Sequence, residues 1–122
     1  MKIFWLLTFL LLGSCAYDNR EDLLPTDPGA PDSCGLTDVS FAAEVQPLLA
    51  ASCNQTCHNA VDRRGGVVLE THAEVESFVR AERLLGTVRR AAGFSAMPPG
   101  SRLPECDLEI LERWVAEGAL NN

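Results

Sequence analysis

The stretch with the most specific chemistry in this 122-residue chain is Cys53-Asn54-Gln55-Thr56-Cys57-His58. Two cysteines followed at once by a histidine are typical of covalent haem attachment, in which the thiols add to vinyl groups and the histidine binds the iron. The usual motif has two residues between the cysteines, whereas this one has three. Because positions i and i+4 share a helix face, the spacing predicts either a distorted turn or a macrocycle that is held slightly differently.

A candidate for the second axial iron ligand is Met97, the only methionine besides the initiator. It begins the sequence Met97-Pro98-Pro99-Gly100, in which two prolines stiffen the backbone that presents the thioether. Taken alone, a methionine is more often a flexible filler of the core. His72 is the alternative ligand, although its position near the start of a predicted helix favours a surface role.

Two other interpretations of the cysteine motif remain open from the residues alone. Cys53 and Cys57 could form a small disulfide with His58 incidental to it. They could also join His58 and His72 in a zinc site, because thiolate and imidazole ligands suit zinc. The zinc interpretation leaves Met97 and the glycine-containing loop after the motif without a role.

The first fourteen residues predict a leader peptide that is removed. Lys2 precedes an apolar run over residues 3–12, which is too short to span a bilayer. The sequence Leu12-Gly13-Ser14-Cys15 resembles the lipobox of bacterial lipoproteins, which implies a lipid on Cys15 and anchoring in the cell envelope. Ala16 stands where an aspartate would favour inner-membrane retention, so the resemblance favours the outer membrane, on its periplasmic side.

Residues 15–33 are rich in Asp, Asn, Pro and Gly, which predicts a disordered tether before a compact domain over residues 34–122. Thiols beyond a secretory leader meet an oxidising compartment. If Cys53 and Cys57 hold a cofactor, Cys34 and Cys106 remain as a disulfide pair. A domain this short usually needs such a bridge or a prosthetic group for stability.

The chain is acidic, with a formal net charge of −7, and all its basic residues after Lys2 are arginines. This composition argues against nucleic-acid binding. It favours a basic or neutral protein partner, although most such charge is simply solvated surface.

The apolar periodicity predicts an all-α domain with long loops. The first expected helix follows the N-cap Ser40, and it either kinks at Pro47 or properly begins near it. The others are one over 73–80 capped by Thr71, a short one over 83–90, and a last one over 105–117. Apolar side chains form the expected inward faces at Phe41, Val45, Leu48, Leu49, Val75, Phe78, Val79, Leu108, Leu111, Trp114 and Val115.

The order of these pieces resembles the small bacterial c-type cytochrome domains, including the planctomycete-type group. The resemblance covers about residues 38–122. It is carried by Val-Gln-Pro-Leu-Leu before the cysteine motif, Gly-Gly-Val-Val-Leu after it, Met-Pro-Pro-Gly, and a terminal Leu-Glu-Arg-Trp-Val-Ala-Glu-Gly-Ala-Leu-Asn-Asn.

The resemblance implies a class I cytochrome c fold, with crossed N- and C-terminal helices around one covalently attached haem c. Cys53 and Cys57 would form the thioethers, and His58 and Met97 would bind the iron. Arg89 and Arg90 would either pair with a haem propionate or remain solvated.

We therefore expect a lipid-anchored monohaem electron carrier that exchanges electrons with a redox partner protein and is not an enzyme. The alternative is a haem-free, disulfide-stapled lipoprotein that acts as a binding or assembly module. A haem sensor or peroxidase-like site would require Met97 to be absent from the iron.

Overall fold

The structure is a computed structural model that describes residues 34–122. The predicted leader, the tether and the lipidation residue Cys15 lie outside the described residues. Within residues 34–122 the chain is helical and contains no β-strand, which confirms the all-α prediction.

The first helix is continuous but changes its hydrogen-bond spacing along its length. A π-helical turn at Phe41–Val45 leads into an α-helical turn at Gln46–Leu49 and a second π-helical turn at Ala50–Asn54, and these three segments together are called α1. The predicted N-cap is confirmed, because the Ser40 hydroxyl accepts from the amide of Ala43 at 3.0 Å.

Pro47 lies inside α1 without ending it. It falls in the first turn of the α-helical segment. The N–H groups of a first turn have no partner within the α-helix, so the N–H that proline lacks costs this segment no hydrogen bond. The preceding π turn is closed by bonds from Val45 to the carbonyl of Ser40 and from Gln46 to that of Phe41. The helix thus passes the proline by widening the turn before it.

The remaining elements are a 3₁₀ turn at Arg64–Gly66, α2 at His72–Arg80, α3 at Arg83–Val88 and α4 at Glu105–Ala116. Thr71 caps α2 in a reciprocal capping box with Glu74, as the sequence predicts. The helix α3 ends two residues before the predicted limit, because Arg90 takes a left-handed φ of 60°.

The core joins the first helix to the last. The rings of Phe41 and Trp114 lie 5.6 Å apart between their centroids, and both side chains are buried. At the chain end Asn122 accepts hydrogen bonds from the amides of Phe41, at 2.8 Å, and Ala42, at 3.0 Å. The C-terminus therefore satisfies two of the free N–H groups at the start of α1.

The disulfide expected from the cysteine count is present between Cys34 and Cys106. It ties the beginning of the described chain to the first turn of α4 across a sequence separation of 72 residues. A closed loop of that length stabilises the fold by about 4 kcal/mol in the chain-entropy model.

Among the described residues, every helix is too short or too polar to cross a lipid bilayer.

Candidate functional site

The cysteine motif begins inside the second π turn of α1. The backbone N–H of His58 donates to the carbonyl of Cys53 at 3.0 Å, which is an i→i+5 bond. The extra residue between the cysteines is therefore taken up by a wider helical turn. This is the distorted turn that the spacing predicts.

The imidazole of His58 is oriented by the extended segment that follows the 3₁₀ turn. Its Nδ1 lies 3.3 Å from the carbonyl oxygen of Val67, while its own carbonyl accepts from the amide of Leu69 at 2.9 Å. With the proton on Nδ1 directed at Val67, Nε2 keeps the lone pair that a metal needs.

The loop between His58 and Val67 is closed on the motif by the backbone. The amide of Arg64 donates to the carbonyl of Cys57 at 2.8 Å. Gly65 and Gly66 adopt φ of 67° and 73°, and a Cβ at either would meet nothing within 4 Å. The glycines are thus required by the left-handed backbone and not by a close approach of another group.

Two adjoining cavities, of about 190 and 150 Å³, lie against this motif. They share the lining residues Cys53, His58, Arg64, Val88 and Met97. Cys57 lines the larger of the two. The four residues that the sequence singles out for haem attachment and iron ligation are therefore brought to one place.

Met97 reaches the cavities from the loop that follows α3. Its amide donates to the carbonyl of Thr87 at 3.1 Å, and Pro98 and Pro99 line the larger cavity beside it. The methionine is half-buried and lines both cavities. It is therefore a lining residue and not only a filler of the main core.

The other residues that line the two cavities are mainly apolar, and the charged ones among them are all positive. Leu69, Leu84 and Phe78 line the smaller cavity, and Leu103 lines the larger. Among residues 34–122, the charged side chains that line the two cavities are those of Arg64 and Arg83, with no carboxylate among them. In an acidic protein, such a lining suits an apolar ligand with anionic substituents.

The environment of the two motif cysteines differs from that of the disulfide pair. Both Cys53 and Cys57 are free thiols. Burial, with a smaller contribution from the nearby Cys57, raises the pKa of the Cys53 thiol to about 11. Because the thiolate is the reactive form of cysteine, Cys53 is held in its less reactive, neutral form at neutral pH.

His72 is not the surface side chain that its position predicts. It is half-buried between the first and last helices, with Nε2 at 2.8 Å from the carbonyl oxygen of Ala119. Its ring meets those of Phe41 and Trp114 edge-on, at centroid distances of 4.9 and 5.9 Å. His72 lines neither cavity, and its role in this structure is to join α2 to the C-terminal segment.

The zinc interpretation has no support in the described part of the chain. Residues 34–122 contain no group of three or more His, Cys, Asp or Glu side chains arranged to hold a metal ion. His72, the fourth ligand of that interpretation, lies against the carbonyl oxygen of Ala119 and lines neither cavity.

The two arginines before the methionine loop line neither cavity. Arg89 forms an ion pair with Glu112 at 2.6 Å, and Arg90 donates to backbone carbonyls of the loop. The arginines that line the cavities, Arg64 and Arg83, were not singled out by sequence reasoning. Arg64 adjoins Gly65 and Arg83 begins α3, and neither position carries a motif that marks it as cavity-lining.

Another depression in the described part of the chain, of about 500 Å³, is an open groove lined by residues that include Arg63, Glu74 and Ser77. It contains none of the motif residues. We assign the chemistry to the smaller cavities, because the thiols, the imidazole and the thioether converge there.

Comparison of the chain with protein-family models, curated proteins and solved structures found no match.

Proposed function

We propose that this protein is a monohaem c-type cytochrome that transfers single electrons. The observation that carries the proposal is the convergence of Cys53, Cys57, His58 and Met97 on adjoining cavities with an apolar lining. Their donor atoms, two thiols, an imidazole and a thioether, form the set that one covalently held haem with two axial protein ligands requires.

Each thiol would form its thioether by adding S–H across a vinyl double bond. The sulfur bonds one carbon and the proton bonds the other, so no external oxidant is needed.

The π turn supports attachment at both cysteines despite their wider spacing. In a motif with two intervening residues, the histidine follows the first cysteine by four positions, the spacing of an α-helical hydrogen bond. Here the histidine follows by five, and the bond from His58 to Cys53 is of the π type. The residue added between the cysteines is therefore accommodated by a hydrogen-bonded turn that is one residue longer.

The iron ligands would be His58 and Met97. The carbonyl of Val67 orients the imidazole, and the stiff proline loop orients the thioether. Bound haem supplies a one-electron couple, and a thioether ligand favours its ferrous state. If His58 and Met97 both held the iron, no site on it would be left for a substrate, so we propose a relay and not an enzyme.

Arg64 and Arg83 are proposed to hold the carboxylates of the bound group. Guanidinium and carboxylate form strong paired hydrogen bonds. The Arg83 guanidinium also lies 4.8 Å from the centroid of the Phe78 ring, which orients it at the mouth of the smaller cavity.

The class I cytochrome c arrangement is part of the same proposal. The contact of Phe41 with Trp114 joins the first helix to the last, as the resemblance implies. We further propose that the mature protein is lipid-anchored through Cys15 in the bacterial envelope, with the outer membrane preferred. From the end of its tether it would exchange electrons with a redox partner protein.

The decisive experiment is a reduced pyridine haemochrome spectrum of the full chain, expressed with a cytochrome maturation system. A band position for two saturated vinyls is the expected result. Cys53→Ala and Cys57→Ala variants supply the reference for a single linkage. Absence of covalent haem would overturn the proposal and leave the disulfide-stapled lipoprotein, which acts by binding or assembly, as the function to pursue.

A further inference from the structure

The loop that carries Met97 is attached to α3 at two points before the prolines. The ring of Phe94 packs directly on Gly86, where an ideal Cβ would lie only 2.6 Å from the ring carbons. The amide of Met97 then donates to the carbonyl of Thr87. These contacts hold the loop up to the methionine.

Arg90 supplies the support beyond the methionine. Its Nη1 donates to the carbonyl of Pro98, at 3.2 Å, and to the carbonyl of Ser101. These two carbonyls stand on either side of Pro99 and Gly100. A single half-buried guanidinium therefore closes the turn that follows Met97.

The neighbouring arginine provides an internal contrast. Arg89 points to α4 and pairs with Glu112 there, and not with the methionine loop. The left-handed φ of Arg90 separates the two side chains, directing one to the helix and the other to the loop. The two arginines have the same charge, but Arg89 binds a side chain of α4 whereas Arg90 binds the backbone of the methionine loop.

We infer that Arg90 is the positioning residue for Met97, and that it keeps the thioether in the cavity, where it would exclude foreign ligands from a bound haem iron. The inference rests on the proposed function. Both loop carbonyls lose a charged donor when Arg90 is replaced, and the loop then opens more often. A foreign ligand that competes with Met97 binds more tightly in proportion to the open fraction.

The test uses the full chain with haem attached, as wild type and as Arg90→Gln, Arg90→Lys and Arg89→Gln variants. Covalent haem content is measured by the haemochrome spectrum, methionine ligation by the absorbance band of the thioether–iron pair, and access to the iron by titration with imidazole. Arg89→Gln is the matched control, because it removes the same charge from the adjacent position.

We expect Arg90→Gln to retain covalent haem, to weaken the methionine band and to bind imidazole about tenfold more tightly. Arg90→Lys, which keeps one charged donor, should be intermediate, and Arg89→Gln should match wild type. If Arg90→Gln does not accumulate, the comparison of Arg90→Lys with Arg89→Gln decides the question.

Equal imidazole affinity and equal methionine bands in the Arg90 variants and wild type would overturn this inference alone. Equal effects of the Arg89 and Arg90 substitutions would also overturn it, since the cause would then be charge and not the loop contact. A wild-type chain that carries no covalent haem would remove the proposed function, and this inference with it.

Discussion

The backbone N–H of His58 donates to the carbonyl of Cys53 at 3.0 Å, five residues earlier in the chain. This single bond joins the first cysteine of the motif to its histidine through a π turn. It shows how an added residue is accommodated between two cysteines without displacing the histidine that follows them.

The first prediction concerns this spacing. Deleting Gln55, an exposed residue, should convert the turn to an α-helical one and leave both cysteines attached to haem, as in wild type. Inserting one alanine after Gln55 should cause the loss of one thioether linkage. The histidine would then follow the first cysteine by six positions, and no common helical hydrogen bond spans six residues. The haemochrome band position measures the number of saturated vinyls. Two linkages in the deletion variant together with one in wild type would contradict the role given to the π turn.

The second prediction concerns the cavity arginines. In a Cys53→Ala/Cys57→Ala background, haem binds without covalent bonds, so its affinity can be measured by titration. Arg64→Gln and Arg83→Gln should each weaken haem binding about fivefold, a modest effect because both side chains are exposed and their charges are screened. Arg80→Gln, whose arginine pairs with Glu76 on α2, is the matched control. The assignment fails if all three substitutions have the same effect.

The third prediction concerns pH and the haem-free chain. Because burial raises the pKa of Cys53 from 9.0 to about 11, the folded state favours the neutral thiol. This contribution to stability is complete below pH 9 and is lost as the pH rises from 9 to about 11, with an upper limit of about 3 kcal/mol.

Denaturant unfolding across this pH range, compared with that of a Cys53→Ala variant, measures this contribution to the free energy of unfolding. The chain has only one lysine and one tyrosine, and the second free thiol, Cys57, is present in both proteins, so the difference between them reports on Cys53. A parallel pH dependence in the two proteins would contradict the prediction.

The fourth prediction concerns the close packing of Phe94 on Gly86. Gly86→Ala should destabilise the fold by about 1–3 kcal/mol, because the new methyl group meets the ring at 2.6 Å. Phe94→Ala should remove most of that penalty, so the two substitutions should be strongly non-additive in a double-mutant cycle. Denaturant unfolding of the four proteins gives the coupling energy. Additive effects would mean that the ring moves aside freely.

Local features of the fold followed from the sequence because they depend on residues a few positions apart. Ser40 and Thr71 cap their helices as predicted, since an N-cap hydroxyl and its amide partner are neighbours in the chain. The buried face of α4 followed in the same way from the helical period, with Leu111 and Trp114 fully buried.

The candidate donors also followed from residue type and spacing. Cys53, Cys57 and His58 form a local motif, and Met97 was identified by its proline loop and by its being the only methionine outside the leader. The disulfide of Cys34 with Cys106 followed from the cysteine count once the motif cysteines were set aside. Each of these inferences depends only on residue type and position in the sequence, and not on where the side chain points in the fold.

The tertiary structure decided which partner each of these side chains points to. His72 turns to the carbonyl of Ala119, and Arg90 donates to the carbonyl of Pro98 without lining either cavity itself. Arg64 and Arg83 reach the cavities without any motif to mark them. Such outcomes depend on which distant segments pack together, whereas the sequence by itself determines the donor groups, the helix caps and the helical periods. Side-chain partners across loops are chosen only when the core closes.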